Sequence, residues 1–518
     1  MKLKIFLLSV MTLTVFSCDD FVDINKNPNQ TTTSTPELVL SGALNATASQ
    51  LFFNQMGAFW AGQWCPSGDV SGFIAEKTYD LNNTYGTGIW TGVYDNLIDY
   101  KYIIDESKKT PGKTAVGAIA RIMTALLYQR VVDTYGNVPY KDALKGTDVI
   151  RPSYDDAKTV YESNIEEIDA AVAVLKAITD PEDSPKAADI MFGGNLTKWI
   201  QFGNTLKLRM LVRQSEMPGR SAYITSEIAQ ISGGYLTEDA NLTPGYLKTS
   251  GKLNPFWNNY FRNETDNLNS NFNFYRSTAF LVSNLPGTDV RRLYIVAPQG
   301  SAVHPGSLKT FGVAQSTATP PVFSWAFAGT RTGVNYGDET QAAYSNVTSG
   351  IGFGILKSFD MPMTLMTAAE SYFLQCEAVQ RSYTAGNAAT LYASALTASF
   401  KTLNAETVSV NSVSGFPTIT STPEQNAAAR LLEVPYDGTI QRIITQKWVA
   451  SVGYGGFEAW CDYRRTGFPN VPLSLRAIKP NAPVRLYYPN QELQTNAANV
   501  AAQGTIDAIT TKIFWDAN

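Results

Sequence analysis

Hydrophobic residues recur at helical spacing in the first half of the chain. Between residues 116 and 127 the apolar positions lie three or four apart, which predicts a helix that stops at the turn residues of 135–139. Residues 153–175 repeat the pattern, with Ser153 as the predicted N-cap and acidic residues in the first turn. A further helix is predicted over residues 196–213.

The carboxyl-terminal half has the same helical pattern. Asp360 and Pro362 predict a helix start, and apolar residues line one face of this helix as far as position 381. Helices are also predicted over 387–400 and 438–451, although no clean repeat of 34 residues connects them. Between the two helical halves of the chain, residues 301–350 are rich in Gly, Ser, Thr and Pro, which predicts long loops and short hairpins.

The amino terminus has the layout of a secretory signal. Lys2 and Lys4 precede an apolar and hydroxyl run over residues 5–16, which is too short to span a bilayer. The run ends in Ser17-Cys18, which resembles the bacterial lipobox, where the cysteine thiol is acylated before cleavage. We therefore predict a signal peptide over residues 1–17 and a lipid anchor on Cys18.

The segment after Cys18 predicts a tether followed by one large domain. Acidic residues at 19, 20 and 23 resemble the surface-export signals of Bacteroidetes lipoproteins. Residues 25–36 are rich in Asn, Thr, Ser and Pro, which is typical of a flexible linker. We therefore assign residues 18–36 to the anchor and its leash, and residues 37–518 to a single domain.

Charge and composition exclude several kinds of chemistry. The net charge is −4, and it becomes −6 once residues 1–17, with two lysines and no acid, are removed, so nucleic acid is not an expected partner. His304 is the only histidine and lies in a polar loop without a nucleophile elbow or ligand spacing nearby. The three cysteines beyond Cys18 are widely separated. We predict no catalytic site, no metal site and no cofactor.

Two segments hold a high density of aromatic residues next to short polar side chains. Residues 52–94 contain ten aromatic residues in 43 positions, and a second cluster begins at Phe256. Aromatic faces beside amides and carboxylates are typical of sugar-binding sites, because a pyranose offers a C–H face for stacking and hydroxyls for hydrogen bonds. The candidate ligand-binding residues are Trp60, Trp64, Asp69, Phe73, Tyr79, Asn82, Asn83, Tyr85, Trp257, Asn259, Tyr260, Arg262 and Tyr275.

Each of these aromatic residues has an alternative interpretation, which is that the ring packs in a loop-rich core. Acidic residues on the predicted carboxyl-terminal helix are similarly ambiguous. Glu370 and Glu377 are seven residues apart and share one helix face, but salt-bridged helix acids are far commoner than catalytic pairs. For Arg464 and Arg465, beside Asp462, we predict charge-assisted bonds that tie the last helices together.

Several segments distributed over the whole chain resemble the SusD/RagB family of outer-membrane nutrient-binding lipoproteins, and specifically its SusD-like branch. The start of the mature chain over residues 20–29 and the helix end over residues 133–140 are similar to that branch. The segments 288–293 and 369–378 resemble a mid-chain family segment and the carboxyl-terminal repeat region. The matching closing segments are 443–448, 455–460, 462–469, 485–489 and 514–516.

This resemblance implies a mainly α fold of tetratricopeptide-like helical hairpins with a loop-rich ligand-binding face and short β-hairpins. It also implies a role in binding and delivery rather than catalysis, with a SusC-like, TonB-dependent outer-membrane transporter as the partner. The expected protein is a surface-exposed lipoprotein that acts as a lid over that barrel. The family's ligand residues lie on divergent loops, so the candidate residues above depend on their chemistry alone.

Oligosaccharides are the expected ligands, and three alternatives remain. Oligopeptide capture in the same architecture would need backbone-pairing groups and charges for the peptide termini more than stacking surfaces. A surface glycoside hydrolase would need a pair of carboxylates in a cleft. A purely structural scaffold would bind no nutrient and no barrel.

Overall fold

The computed structural model describes residues 34–67, 70–297, 348–410 and 417–517, and side-chain placement is described outside residues 408–418. The amino-terminal half contains helices α1 (Pro36–Ala48), α2 (Leu51–Trp60), α3 (Ile74–Thr78), α4 (Thr87–Ser107), α5 (Thr114–Tyr135), α6 (Ala157–Ala177), α7 (Leu196–Arg213) and α8 (Ser221–Ala229). Short helices follow: α9 (Pro255–Tyr260), α10 (Asn271–Phe274), α11 (Ala279–Ser283) and α12 (Arg292–Ile295). The predicted signal peptide, Cys18, most of the leash and His304 lie outside the described residues.

The carboxyl-terminal half is also helical. Its elements are α13 (Ala368–Gln380), α14 (Ala388–Leu403), α15 (Pro423–Glu433), α16 (Ile440–Ala450), α17 (Gly456–Thr466), α18 (Asn490–Thr495) and α19 (Ala497–Ala501). Consecutive helices pack on each other, α4 on α5, α5 on α6 and α6 on α7 in the first half, and α13 on α14 and α14 on α15 in the second. The mainly α fold with helical hairpins is therefore confirmed.

Two helix boundaries differ from their predictions. Helix α6 begins at Ala157 rather than near Ser153, because the Asp156 side chain accepts the Thr159 N–H at 3.0 Å and caps the helix. The predicted helix start at Asp360 is wrong, since residues Met363–Met366 form a strand and α13 begins only at Ala368. Thr367 caps α13 by accepting the Glu370 N–H at 3.1 Å.

Six short strands form three antiparallel pairs in the described part of the chain. They are β1 (Trp64–Pro66), β2 (Ala240–Leu242), β3 (Tyr275–Ser277), β4 (Met363–Met366), β5 (Thr407–Val410) and β6 (Pro417–Ser421). Only β5 and β6 form a local hairpin, whereas β1 pairs with β3 and β2 with β4 across long stretches of sequence. These two pairs therefore connect distant parts of the chain, whereas the loops and hairpins predicted for residues 301–350 lie outside the described residues up to position 347.

Helix α5 is the most deeply buried long helix. It is long and apolar enough to cross a membrane by composition, but 89% of its apolar window is covered by the protein itself. Ile119, Met123 and Leu126, which gave the helical prediction, are all fully buried. The apolar character of α5 is therefore explained by its position in the core.

A buried ion-pair network connects α5, α7, α13 and α17. We use this name for Asp133, Arg209, Arg213, Glu370, Glu377, Glu458, Asp462 and Arg465, together with Lys447 on α16. Arg209 binds Glu370 through two hydrogen bonds, of 2.7 and 2.9 Å. Arg213 lies between Asp133 and Glu458 and forms an ion pair with both.

The carboxyl-terminal segment is tied into the same network. Arg465 donates to Glu377 at 2.9 Å and to Asp462 at 3.0 Å, and the second Asp462 oxygen pairs with Lys447 at 2.8 Å. Arg464 donates to the Asp133 carbonyl oxygen at 2.9 Å. The prediction that these arginines tie the last helices together is confirmed. The carboxylates of Glu370 and Glu377 both form salt bridges with buried arginines.

The first prediction concerns the stability that this network supplies. In Arg213→Met, the buried carboxylates of Asp133 and Glu458 lose their shared counter-charge, so we expect the free energy of unfolding to fall by about 3–5 kcal/mol in urea denaturation. The control, Lys186→Met, breaks the exposed pair with Glu182 and should cost less than about 1 kcal/mol. Equal, small losses in the two variants would contradict the assigned role.

The second prediction concerns acid stability. Burial alone would raise the pKa of Glu458, but the guanidinium groups of Arg209 and Arg213 outweigh burial and hold the pKa well below its ordinary value of 4.5. The stability that this carboxylate contributes is therefore complete above pH 4.5 and is lost as the pH falls towards the folded-state pKa. We expect the urea midpoint to decline below about pH 4.5 in the wild type, and less steeply in Glu458→Gln. Parallel acid profiles for the two proteins would contradict this account.

Candidate ligand-binding groove

The structure brings together the two aromatic segments that the sequence singled out. Strand β1 pairs with β3, so that Trp64 lies opposite Ser277 and Pro66 lies opposite Tyr275. This pairing carries the rings of residues 52–94 onto those of residues 256–275. The two segments are more than 150 residues apart in the chain and form one structural unit.

The rings of the two segments form an aromatic cluster, consisting of Phe59, Trp64, Phe73, Phe256, Tyr260 and Tyr275. Phe59 and Tyr275 are stacked with ring centroids 5.6 Å apart, and Tyr260 meets Tyr275 edge-on at 4.9 Å. Trp64 contacts Tyr260 at 5.8 Å. Pairs of this geometry add about 0.5–1.5 kcal/mol each beyond the burial of their area.

Most of the predicted aromatic candidates are buried. Trp60 and Trp64 are each 1% exposed, and Trp257 is 8% exposed. Tyr79, Tyr260 and Tyr275 are buried as well. These six rings have no face open to a ligand in this structure, which agrees with the alternative that they pack a core. Their structural role is to support the surface above them.

An open groove of about 740 Å³ lies above the aromatic cluster. Three segments form it: the junction of α1 and α2, the start of α4, and α9 with the loop that follows it. The lining residues are Ser49, Gln50, Leu51, Phe52, Phe53, Gln55, Gly86, Thr87, Gly88, Ile89, Pro255, Asn258, Asn259 and Asn269. This volume lies within the range of small-molecule and oligomer sites.

Five of the lining side chains are carboxamides, and several are held by bonds to the protein. Gln55 accepts a hydrogen bond from the Tyr260 hydroxyl at 3.1 Å, and Gln50 donates to the Gly92 carbonyl oxygen at 3.3 Å. Asn259 accepts from the Asn271 amide at 3.0 Å. The Gln50 Oε1 atom is buried without a partner among the described residues. Gln55 and Asn259 are therefore held through their oxygens, which leaves their amide N–H groups available to a polar ligand.

Apolar side chains lie beside these amides in the groove. Leu51 and Phe52 are half-buried, so each keeps part of its surface accessible. Phe52 packs against Tyr85 with ring centroids 5.9 Å apart, which fixes the orientation of its ring. Amides next to a partly exposed ring are the combination that suits the hydroxyl edge and the C–H face of a sugar.

Three other predicted residues, Asn82, Asn83 and Tyr85, directly precede the groove-lining Gly86 in the chain. Asn83 donates to the Tyr488 carbonyl oxygen at 2.8 Å, and Asn82 forms a local turn by accepting from Thr84. Burial, followed by the nearby Glu76 carboxylate, raises the pKa of Tyr85 well above its ordinary value. These contacts hold the segment that leads into Gly86 at the groove wall.

Phe73, Arg262 and Asp69 are the remaining candidates, and the first two lie outside the groove lining. Phe73 is half-buried in the aromatic cluster and adopts a left-handed backbone conformation with φ of 58°, which is costly for a bulky residue. Arg262 is half-buried and donates to the Asp266 carbonyl oxygen. Asp69 lies outside the described residues. Among the twelve predicted residues that the structure describes, only Asn259 lines the groove directly.

The sequence prediction missed Gln50, Phe52, Gln55, Asn258 and Asn269. Phe52 and Asn258 lie inside the aromatic segments, where no sequence signal distinguishes them from their neighbours with larger rings. Gln50 and Gln55 flank a helix turn without any charged residue, and nothing in their spacing indicates which face of α2 is exposed. The density of Asn between residues 258 and 273 was the one signal that could have directed attention to this wall.

Two other cavities fit a large ligand less well. A small enclosed cavity of about 20 Å³ beside Lys447 and Glu458 has space for roughly one water molecule. A depression of about 390 Å³ is lined by Glu216, Arg381 and Arg465, whose charges already form ion pairs with the protein. The described residues contain no group of three or more His, Cys, Asp or Glu that could hold a metal ion.

The chain is thus a protein of helical hairpins with an open groove that is lined by amides and apolar side chains. The profile of the SusD-like family, described as starch-binding and associating with the outer membrane, matches residues 28–489. The chain belongs to this family, as its sequence motifs predicted, and the family is one of nutrient-binding outer-membrane proteins. A search of curated proteins gave no match.

Solved structures show the same fold. A chitin-binding SusD homologue from Flavobacterium johnsoniae is 22% identical, with a TM-score of 0.68, and the match covers 92% of this chain and 99% of that one. A SusD homologue from Bacteroides fragilis is 19% identical over 93% and 100% of the two chains, with a TM-score of 0.71. A SusD-like protein from Bacteroides thetaiotaomicron is 22% identical over 93% and 99%, with a TM-score of 0.70.

The third prediction separates supporting rings from groove surface. Trp64→Ala removes a fully buried ring from the aromatic cluster, so we expect a loss of about 3–5 kcal/mol in the free energy of unfolding. Phe52→Ala trims a half-buried ring at the groove and should cost clearly less. Guanidinium denaturation measures both variants, with Trp64→Phe as the conservative control. If Trp64→Ala were as stable as the wild type, the ring would not belong to the core.

Proposed function

We propose that this protein is a surface-exposed outer-membrane lipoprotein, anchored through Cys18, that captures oligosaccharides in the groove. In this proposal it delivers them, as a lid, to a SusC-like, TonB-dependent transporter. The observation that carries the binding role is the groove itself, where fixed amides such as Gln55 and Asn259 lie beside the partly exposed ring of Phe52. The transporter partner and the lid role depend on family membership.

The lining of the groove favours oligosaccharides over oligopeptides. A bound peptide pairs its backbone with a strand edge or a groove of matching polarity, and its termini need charged partners. The described lining contains no strand and no charged side chain. Carboxamides, by contrast, supply a donor and an acceptor in one side chain, as hydroxyl groups do. The groove therefore matches sugar hydroxyls better than peptide ends.

The positions of the carboxylates favour binding over hydrolysis. Glycoside hydrolysis needs two carboxyl groups that flank the scissile bond. Glu370 and Glu377 share a helix face but lie buried in salt bridges with Arg209 and Arg465. The described groove lining contributes no carboxylate. Release of reducing ends from any bound glycan would favour the hydrolase alternative.

The partnership with a transporter is tested separately. The full chain, expressed in its own host with an affinity tag at the carboxyl terminus, should co-purify with a barrel-forming outer-membrane transporter after detergent extraction. Cys18→Ala should release the protein from the outer-membrane fraction, because the acylated thiol is the proposed anchor. Persistence of the Cys18→Ala variant in washed outer membranes would contradict the anchor.

The fourth prediction tests the groove as the binding site. Gly88 lines the groove and is exposed, and a Cβ added there meets no atom within 4 Å, so we expect Gly88→Trp to fold normally while its ring occupies the groove. We expect titration calorimetry to show at least a tenfold loss of affinity, equivalent to about 1.4 kcal/mol. The probes are neutral hexasaccharides, including maltohexaose and chitohexaose.

The matched control for this experiment is Gly42→Trp. Gly42 is also an exposed helical glycine with no atom within 4 Å of an added Cβ, but it is not part of the groove lining. This variant should keep wild-type affinity. Equal affinities for Gly88→Trp and the wild type would place the binding site elsewhere, and the absence of binding by any hexasaccharide to the wild type would contradict the proposed ligand class.

A further inference from the structure

The groove is formed by segments of the chain that contain no charged residue. Residues 38–67, 81–94, 253–261 and 267–275 have no Asp, Glu, Lys or Arg. Charged residues make up 17% of the chain, so the 30 residues of the first segment alone would be expected to contain about five. Every residue in the described lining belongs to one of these four segments.

Charged residues occur again close to the ends of these segments. Asp80 and Asp95 flank the segment 81–94, and Lys252 and Arg262 flank 253–261. Asp80 forms an ion pair with Lys479 at 3.0 Å, away from the groove lining. None of these flanking charged residues belongs to the described groove lining.

We infer that the groove selects uncharged oligosaccharides and discriminates against acidic ones, such as uronate-containing or sulfated chains. This inference rests on the proposed function of the groove, and it specifies the class of glycan. A carboxylate or sulfate that enters the groove loses part of its hydration shell, and that loss is recovered only when an opposite charge is present. The described lining provides none.

Neutral hydroxyl groups meet a different environment. A hydroxyl both donates and accepts, and a carboxamide does the same, so each hydrogen bond to water can be exchanged for one to the protein. Gln55 has its oxygen engaged by Tyr260, and Asn259 has its oxygen engaged by Asn271, so both keep amide N–H donors in fixed positions. Asn258 is exposed at the same wall and offers a donor and an acceptor. The wall thus presents both kinds of hydrogen-bonding group without a net charge.

The test compares neutral and acidic hexasaccharides on the full chain in detergent. The neutral set is malto-, chito-, cello-, manno- and xylohexaose, and the acidic set is hexagalacturonate and a heparin hexasaccharide. We expect at least one neutral probe to bind, with affinity that changes less than about twofold between 50 and 500 mM NaCl, because no ion pair is screened. Both acidic probes should bind at least tenfold more weakly.

The outcomes separate this inference from the proposed function. If an acidic hexasaccharide binds best and its affinity falls steeply with salt, the groove still binds glycans but the inference of neutrality is overturned. If no hexasaccharide binds and a mixture of oligopeptides does, both the proposed function and the inference fail. Binding of a neutral probe that Gly88→Trp abolishes supports both.

A charge added to the wall provides the second arm of the test. In Asn258→Lys, an exposed wall residue becomes cationic, and we expect hexagalacturonate to gain at least tenfold in affinity, with a gain that salt removes. The matched control is Asn45→Lys, which adds the same charge at an exposed position of α1 outside the groove lining. An equal gain in both variants would show that net charge, and not the groove, sets the discrimination.

Discussion

The position of Arg213 between Asp133 and Glu458 is the constraint on which the rest of the structure depends. It connects helices α5, α7 and α17, which come from distant parts of the chain, and Asp133 also accepts from the Trp515 indole at 2.7 Å. Buried charges tolerate little displacement, because each loses hydration that only its partner replaces. The network therefore fixes the position of α17. Helix α17 in turn packs directly against α2. The two backbones are so close that a Cβ on Gly57 would be 2.4 Å from the Gly456 carbonyl oxygen. The far side of α2 carries Leu51, Phe52 and Gln55, so the position of the groove wall follows from the ion pairs beneath it.

The interior and the groove thus differ in the kind of polar group that they contain. In its interior, guanidinium and carboxylate groups lie within direct contact of each other and leave few charges uncompensated. At the groove, the segments that form the walls contain no charge, and polarity is carried by amides held at one end by the protein. The first arrangement supplies rigidity through strong, short-range pairs. The uncharged amides of the groove are hydrated in the free protein, and their hydrogen bonds with water can be exchanged for hydrogen bonds with a neutral ligand.

Periodicity and motifs predicted much of the fold but little of the site. Helices around α5 and α7 and the role of Arg464 and Arg465 could be predicted because these features depend on local spacing and on the need to pair buried charge. The site could not be predicted, because the burial of a ring such as Trp64 depends on the pairing of its strand with Ser277, more than 200 residues away. Aromatic density located the two segments that meet, while burial decided which residues face the ligand. Gln50 and Gln55 became wall residues only through the placement of α2.

The start of the described fold bears on how a tethered body can present this groove. The Tyr102 hydroxyl accepts the Ser34 N–H at 3.1 Å and donates to the Ser34 carbonyl oxygen at 2.8 Å, so the first described residue is held at helix α4. Gly88, at the groove, lies fourteen residues earlier on that helix, or about 21 Å along its axis at 1.5 Å per residue. Cys18 precedes Ser34 by sixteen residues, which can span at most about 55 Å when fully extended. Within the described residues, helix α4 joins the groove to Ser34, the described residue nearest in sequence to the proposed anchor. A reorientation of the body about its tether would then swing the groove without disturbing the ion pairs that shape it.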